Sequence, residues 1–238
     1  MNKRVLVWFS CGATSACAAK IAKEMFKNVE ILYCDTLKYE HPDNKRFMTD
    51  CEQWFGSSIK ILRSEEYTDI YDVFNKSGWL VGHGMAKCAH YLKRDVREAY
   101  QGVNDVHVFG FASDEPKRIA VFEERNPELS LSWVLRDRRM TKQDCLDMIS
   151  SAGISLPVMY RMGYKNNNCI GCVRGGKGYW NMIRNDFLNA FRRMAKQERK
   201  MGISVIRDVY LDQLPLGVGR YESEYDIECG PSCSLNKE

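Results

Sequence analysis

After Arg4 the chain runs through five apolar residues in succession, Val5-Leu6-Val7-Trp8-Phe9. An unbroken apolar run of that length, with no polar alternation, predicts a strand buried on both faces, Arg4–Phe9. A turn of small residues follows at Ser10–Thr14, then a helix rich in Ala, Lys and Ile reaching about Phe26. Val29–Tyr33 reads as a second strand. Asp43–Phe55 reads as a helix, because Phe47, Cys51 and Trp54 recur at helical spacing. Ile59–Leu62 and Val106–Phe111 are two further strands. A helix begins after Met140 and stops at Gly153, a C-terminal cap signal. Asp186–Lys200 forms an amphipathic helix with Phe187, Phe191, Met194 and Ala195 on one side. Arg192, Arg193, Lys196, Arg199 and Lys200 occupy the other side. Strands alternating with helices predict βαβ units, hence an α/β fold with a doubly wound, mostly parallel sheet. Residues 1–212 make one domain, and 213–238, rich in Gly, Pro and charge, make a C-terminal tail.

Composition narrows the setting. The 238 residues suffice for one sizeable core. No stretch of 18 apolar residues occurs, so no transmembrane helix is expected. Met1-Asn2-Lys3-Arg4 lacks the features of a secretory leader, which predicts a cytoplasmic protein. The net charge of +4 suits a small anionic substrate without demanding nucleic acid. Ten cysteines are many for a chain in a reducing compartment, so some are expected to bind metal or do chemistry. Cys17, Cys34, Cys51 and Cys145 fall in periodic apolar segments and read as small buried hydrophobes.

The loop Ser10-Cys11-Gly12-Ala13-Thr14-Ser15 links the first strand to the first helix. Small residues let the backbone curl there, and a helix N-terminus offers free N–H groups to a phosphate, with the hydroxyls of Ser10, Thr14 and Ser15 as further donors. It is neither a Walker loop nor a Gly-x-Gly-x-x-Gly fingerprint. Asn168-Cys169-Ile170-Gly171-Cys172 is a Cys-x-x-Cys knuckle able to face two thiolates to one metal. The Arg174–Trp180 stretch that follows reads as a flexible glycine loop or an anion contact. The basic side of Asp186–Lys200 is more in keeping with a solvated face than with a nucleic-acid surface. His107 reads as structural, whereas His41 and His90 are weak site candidates. Trp54, Trp133 and Trp180 read as core or pocket walls.

Several of these segments together resemble one family. The first loop is similar to the PP-loop, Ser-Gly-Gly-x-Asp-Ser, of ATP pyrophosphatases and sulfonucleotide reductases. Ser10, Gly12 and Ser15 occupy its places, while Ala13 and Thr14 replace its common Lys and its Asp. Cys34-Asp35-Thr36 with His41-Pro42-Asp43, Gly110–Glu115 with Arg118, Leu156–Tyr164, and Gly219-Arg220 followed by Glu228-Cys229-Gly230 match further segments in order. The chain thus resembles the phosphoadenylyl-sulfate and adenylyl-sulfate reductases of the adenine nucleotide alpha hydrolase, or PP-loop, superfamily. That likeness implies an adenine-nucleotide pocket built on Ser10, Cys11, Gly12, Ala13, Thr14 and Ser15, with Asp35 and Thr36 beside it and Arg118 neutralising an oxyanion. It also implies that Cys229 is the nucleophile toward sulfur.

Cys88, with Lys93 behind it, resembles the start of the tandem-cysteine segment that joins a Cys-x-x-Cys knuckle in holding a 4Fe–4S cluster. Here Ala89 replaces the second tandem cysteine. Cys88, Cys169 and Cys172 are thus three implied ligands, and Cys233 or Cys229 is the candidate fourth; an open iron and a zinc site are the alternatives. The implied enzyme is a reductase acting on an adenine nucleotide, with a thioredoxin-type reductant or Cys233 as resolving thiol. Two other functions stay open. One is an ATP-dependent sulfur-transferring or nucleobase-modifying enzyme, and the other is a nucleotide-binding regulator without chemistry.

Overall fold

The computed structural model describes residues 3–81, 86–223 and 229. Its centre is a five-stranded sheet made of β1 (Val5–Phe9), β2 (Val29–Cys34), β3 (Ile59–Leu62), β4 (Val106–Phe109) and β5 (Ser130–Ser132). The spatial order is β3-β2-β1-β4-β5 and every pairing is parallel. Between the strands lie α1 (Ala13–Met25), α2 (Asn44–Phe55), α3 (Ile70–Ser77), α4 (Lys87–Ala89) and α5 (Asp95–Tyr100). A π-helical turn, His90–Arg94, joins the last two. After β4 come α6 (Pro116–Arg125), α7 (Val134–Asp137), α8 (Lys142–Ser151), α9 (Val158–Arg161), α10 (Lys177–Asp186) and α11 (Leu188–Met201). The five-stranded parallel sheet is flanked by helices, as a doubly wound α/β fold requires.

All five residues of β1 are buried because both faces of the sheet are covered. Val5, Val7 and Phe9 point to one side, where they pack with Ala16, Phe47, Phe55 and Ile149 of α1, α2 and α8. Leu6 and Trp8 point to the other, where Val96, Ile119, Phe122 and Trp133 close the core. A third cluster, including Phe74, Tyr179, Trp180, Phe191 and Met194, lies under the cysteine segments. Cys17, Cys34, Cys51 and Cys145 are all buried in the sheet's two cores, as expected of small apolar side chains.

The structure revises four expectations. β4 ends at Phe109 rather than Phe111, because the chain turns at Gly110. β5 is an edge strand of three residues, Ser-Leu-Ser, too short and polar to leave a periodic signal. The helix expected over Asp186–Lys200 is α11, Leu188–Met201, and Phe187 stands before it, where the chain breaks from α10 with φ −137° and ψ 56°. Tyr164 Oη donates to Asp186 at 2.8 Å and fixes that break. Lys177–Trp180 of the expected glycine loop instead forms the first turn of α10. Finally, residues 211–223 are docked rather than trailing. Leu211 and Leu214 are buried, and Arg184 and Asn181 donate to the carbonyls of Leu214 and Val218.

His107 on β4 is structural, as expected. Trp8 Nε1 donates to its Nδ1 at 3.0 Å, and the two rings stack. That bond requires an unprotonated Nδ1, and burial, reinforced by Arg97, lowers the imidazole to about 4. A histidine held neutral in the fold binds its proton only after unfolding. Stability is therefore complete above the ordinary histidine value of about 6.5 and falls as pH drops toward 4, by about 1.4 kcal/mol per pH unit at the steepest. Urea melts at pH 7 and pH 5 should show this loss, and His107→Gln should flatten it. An unchanged slope in the variant would transfer the effect to another group.

Candidate functional site

In the order 3-2-1-4-5 the chain leaves β1 toward one edge and β4 toward the other, so their carboxyl ends open a crevice where such sheets bind ligands. A cleft lies there. Ser10, Gly12, Thr14 and Ser15 line one wall, and Gly110, Phe111 and Arg118 line the opposite one. Lys142, Tyr160, the run Asn166-Asn167-Asn168 and Cys229 complete it.

Gly110 sets the distance between the two walls. A Cβ on it would stand 2.5 Å from Ser15 N and 2.6 Å from Ser15 Cα, and backbone atoms cannot yield as a side chain would. The first turn of α1 therefore rests directly on the end of β4. Gly12 differs. A Cβ there would meet Tyr160 Oη at 3.5 Å and Ser10 Oγ at 3.6 Å, ordinary contacts, and its φ of −94° suits any residue. The fold does not need a glycine at position 12, yet its absent side chain keeps room in the cleft.

The first loop divides its expected ligands into two kinds. Ser15 Oγ is consumed internally: it donates to Gly12 O at 3.0 Å and accepts from Ser10 N at 3.1 Å. The side chains of Cys11 and Ala13 are buried, and neither residue lines the cleft, contrary to expectation. The Ala13 N–H donates to Tyr160 Oη at 3.1 Å. Ser10, Gly12 and Thr14 face the cleft. Arg118 reaches it with its guanidinium 4.0 Å from the Phe111 ring centroid and bonded to Glu115 at 2.6 Å. Lys142, a cation that no local motif marks, also lines the cleft and donates to Asn166 Oδ1 at 2.7 Å. The capping box of Thr141 and Asp144 starts α8 at Lys142 and so fixes that cation.

Asp35 and Thr36 stand apart from this cleft. They line a second hollow of about 890 Å³ at the ends of β2 and β3. Asp35 pairs with Arg63 at 2.9 Å, and Thr36 donates to Glu40 at 2.6 Å. Glu40 is buried, also accepts from Asn44 Nδ2 at 2.7 Å, and is a polar core residue that no sequence motif marked.

Behind the cleft the cysteines gather around Lys93. This lysine sits in the π-helical turn, is buried, and donates to Cys229 O at 3.3 Å. Burial opposes its charge, yet Cys229, Cys169, Glu40 and Cys34 around it hold the ammonium above the ordinary lysine range. Burial, with Cys229 and Cys172 beside it, raises the Cys88 thiol. Burial and the neighbouring Cys229 push Cys172 up to about 12, and burial and Glu40 raise Cys169. Cys88, Cys172 and Cys229 pack in or against one core cluster, and Cys229 bears on the charge of Cys88, Cys169 and Cys172. Among the described residues no three His, Cys, Asp or Glu side chains are set as a metal-ligating group. Cys233 lies outside the described residues, as do Glu228 and Gly230. The Tyr179 hydroxyl accepts from the N–H groups of Gly171 and Cys172 and holds the knuckle turn.

The remaining candidates are structural. His41 Nδ1 accepts from Asp43 N, and His90 faces Asp95 at 3.5 Å. Trp133 and Trp180 are core. On α11, Arg193 lies over the Tyr39 and Tyr71 rings, Arg199 is paired with Asp212, and Lys200 donates to Asn75. These cations serve the fold. Among the described residues no helix is long and apolar enough to cross a membrane. Compared with models of known protein families and with curated proteins, the chain matches none.

The two glycines predict opposite stability effects. Gly110→Ala should lower the unfolding free energy by roughly 1–3 kcal/mol, as overpacking does. Gly12→Ala should leave it unchanged or raise it by about 0.4–1 kcal/mol through the unfolded chain. Denaturant melts measure both, and equal effects would remove the contrast between a packing glycine and a cleft glycine.

Proposed function

We propose that the chain is an enzyme of the sulfonucleotide-reductase kind, acting on an adenine nucleotide that carries a sulfate-type group. The observation that carries this reading is one cleft, at the sheet's switch point, lined by the first loop and by the thiol-bearing Cys229. The loop's helix N-terminus suits the phosphate, and Arg118 and Lys142 suit the remaining negative charge. Phe111 and Trp8 supply apolar wall for a base.

In this reading the Cys229 thiolate attacks the sulfur of the sulfate-type group. The S–O bond to phosphate breaks, and the nucleoside monophosphate leaves with the electron pair. Cys229 is left as an S-sulfonate. A second thiol, from a thioredoxin-type reductant or from Cys233, attacks the Cys229 sulfur, releases sulfite and forms a disulfide. The buried Lys93 ammonium donates to the Cys229 carbonyl, and in this reading its positive charge favours the attacking thiolate.

A resident metal is the second element of the proposal, supported by the packing of Cys88, Cys172 and Cys229 in or against one core cluster. Thiolate donors suit an iron–sulfur cluster or zinc. Cys88, Cys169 and Cys172, with Cys229 or Cys233, would hold it after closing into a ligand set. A bound cluster would bring a redox-active centre to the rear of the cleft. ATP-dependent sulfur transfer has less support, since Ala13 and Thr14 stand where the pyrophosphatase loop carries Lys and Asp.

Two measurements test the proposal. Wild-type protein mixed with sulfonucleotide and no reductant should carry a sulfonate on the Cys229 peptide by mass spectrometry. Cys229→Ser should bind the nucleotide as before and release no sulfite. Nucleotide binding without an adduct would leave a regulator rather than a reductase. Metal and acid-labile sulfide, measured on anaerobically purified protein, should be present and be lost in Cys88→Ser and Cys169→Ser. Zinc without sulfide would replace the cluster, and the absence of both would remove the metal.

A further inference from the structure

The peptide between Cys11 and Gly12 is turned in an unusual way. Cys11 has a φ of +56°, in the left-handed region that a side chain disfavours, although it is buried and is not glycine. A residue stays in that region only where its surroundings hold it. The hold is visible. Asn167 Nδ2 donates to Cys11 O at 2.7 Å and to Asn44 Oδ1 at 2.8 Å. Asn44 in turn is braced by the buried Glu40 carboxylate. Cys11 O is an acceptor only, so the amide's orientation is fixed by this contact. Its other arm, Asn167 Oδ1, is buried without a partner, on a residue that lines the cleft.

A trans peptide carries its C=O and the next N–H on opposite edges. Drawing the Cys11 carbonyl toward Asn167 therefore turns the Gly12 N–H the other way, on a residue that also lines the cleft. Among the described residues neither the Gly12 N–H nor the Thr14 N–H has a hydrogen-bond acceptor. We infer that Asn167 is a positioning residue for an oxyanion: by gripping the Cys11 carbonyl it aims the Gly12 N–H at a phosphate or sulfate oxygen in the cleft. Because Asn167 lies two residues before Cys169, the anion cradle and the cysteine knuckle are carried by one rigid connection. Ile170 N donates to Tyr39 O at 2.7 Å and fastens the far side of that connection.

The inference deepens the proposed function and rests on its cleft, but the test separates the two. The probe is inorganic pyrophosphate, followed by calorimetry, with AMP titrated in parallel. Asn167→Ala should weaken pyrophosphate binding about tenfold, the order expected for losing one buried hydrogen bond. Adding Cys11→Gly should restore most of that affinity, because glycine adopts the left-handed backbone without a grip. A merely structural role for Asn167 would not be rescued at position 11. In the wild type, the Gly12 amide resonance should move when pyrophosphate is added, a readout that requires no variant to fold. Unchanged affinity in Asn167→Ala, failure of the Cys11→Gly rescue, or a silent Gly12 amide would each overturn the inference. Pyrophosphate binding that depends on Asn167, together with no binding of AMP, would keep it and overturn the nucleotide reading.

Discussion

The contact between α1 and the end of β4 determines what the rest of the molecule can do. A backbone resting on a backbone, with a hydrogen where any other residue has a Cβ, is the closest approach two elements make. It happens at Gly110 and Ser15. It draws the first turn of α1 over the crevice between β1 and β4, so free N–H groups point into a space bounded by the other half of the sheet. The Phe111 and Arg118 wall follows from it, since both residues belong to the segment that leaves Gly110. The internal bonds of Ser15 keep that first turn from unwinding.

Around this contact the polar interior is organised as a chain of short links rather than as a layer. Thr36, Glu40, Asn44, Asn167 and the Cys11 carbonyl are connected in succession by hydrogen bonds of 2.6 to 2.8 Å. Such a series passes from the end of β2 to the first loop and touches the knuckle segment on the way. Within a low-dielectric interior each member fixes the next, because a lost partner leaves a buried polar group exposed to no water. The second hollow, with Asp35 and Thr36, thus communicates with the cleft through packing although it does not open into it.

The sheet was legible in the sequence where burial on both faces removes polar positions, as in β1 and β2. It was illegible at β5, because three residues at an edge bear no periodicity. The first loop was found from its small residues, and Arg118 from the resemblance. Lys142 and Asn167 were missed for a physical reason: each reaches the cleft from another element by tertiary packing, and neither carries a local motif. Ser15 lines the cleft as its place in the loop suggests, but its hydroxyl is engaged within the loop, and the Cys11 side chain is buried. A hydroxyl or thiol beside a loop looks like a donor until its own backbone is seen to use it or bury it. The break at Phe187 escaped because its ring contacts His41 and Tyr164, distant in sequence, while its polarity fits helix on either side.

The docked segment 211–223 has a kinetic meaning. Gly219, with φ +86°, lies so close to Gly178 that a Cβ would stand 2.3 Å from its backbone nitrogen, and Lys165 N donates to Tyr221 Oη at 2.8 Å. These partners belong to the knuckle segment and to α10, so the last stretch of chain has no surface to settle on until they have formed. Its contacts span long sequence separations, and closing them costs chain entropy that local contacts do not. The Cys229 carbonyl meets Lys93 across 136 positions of sequence, so that contact too carries a large closure cost.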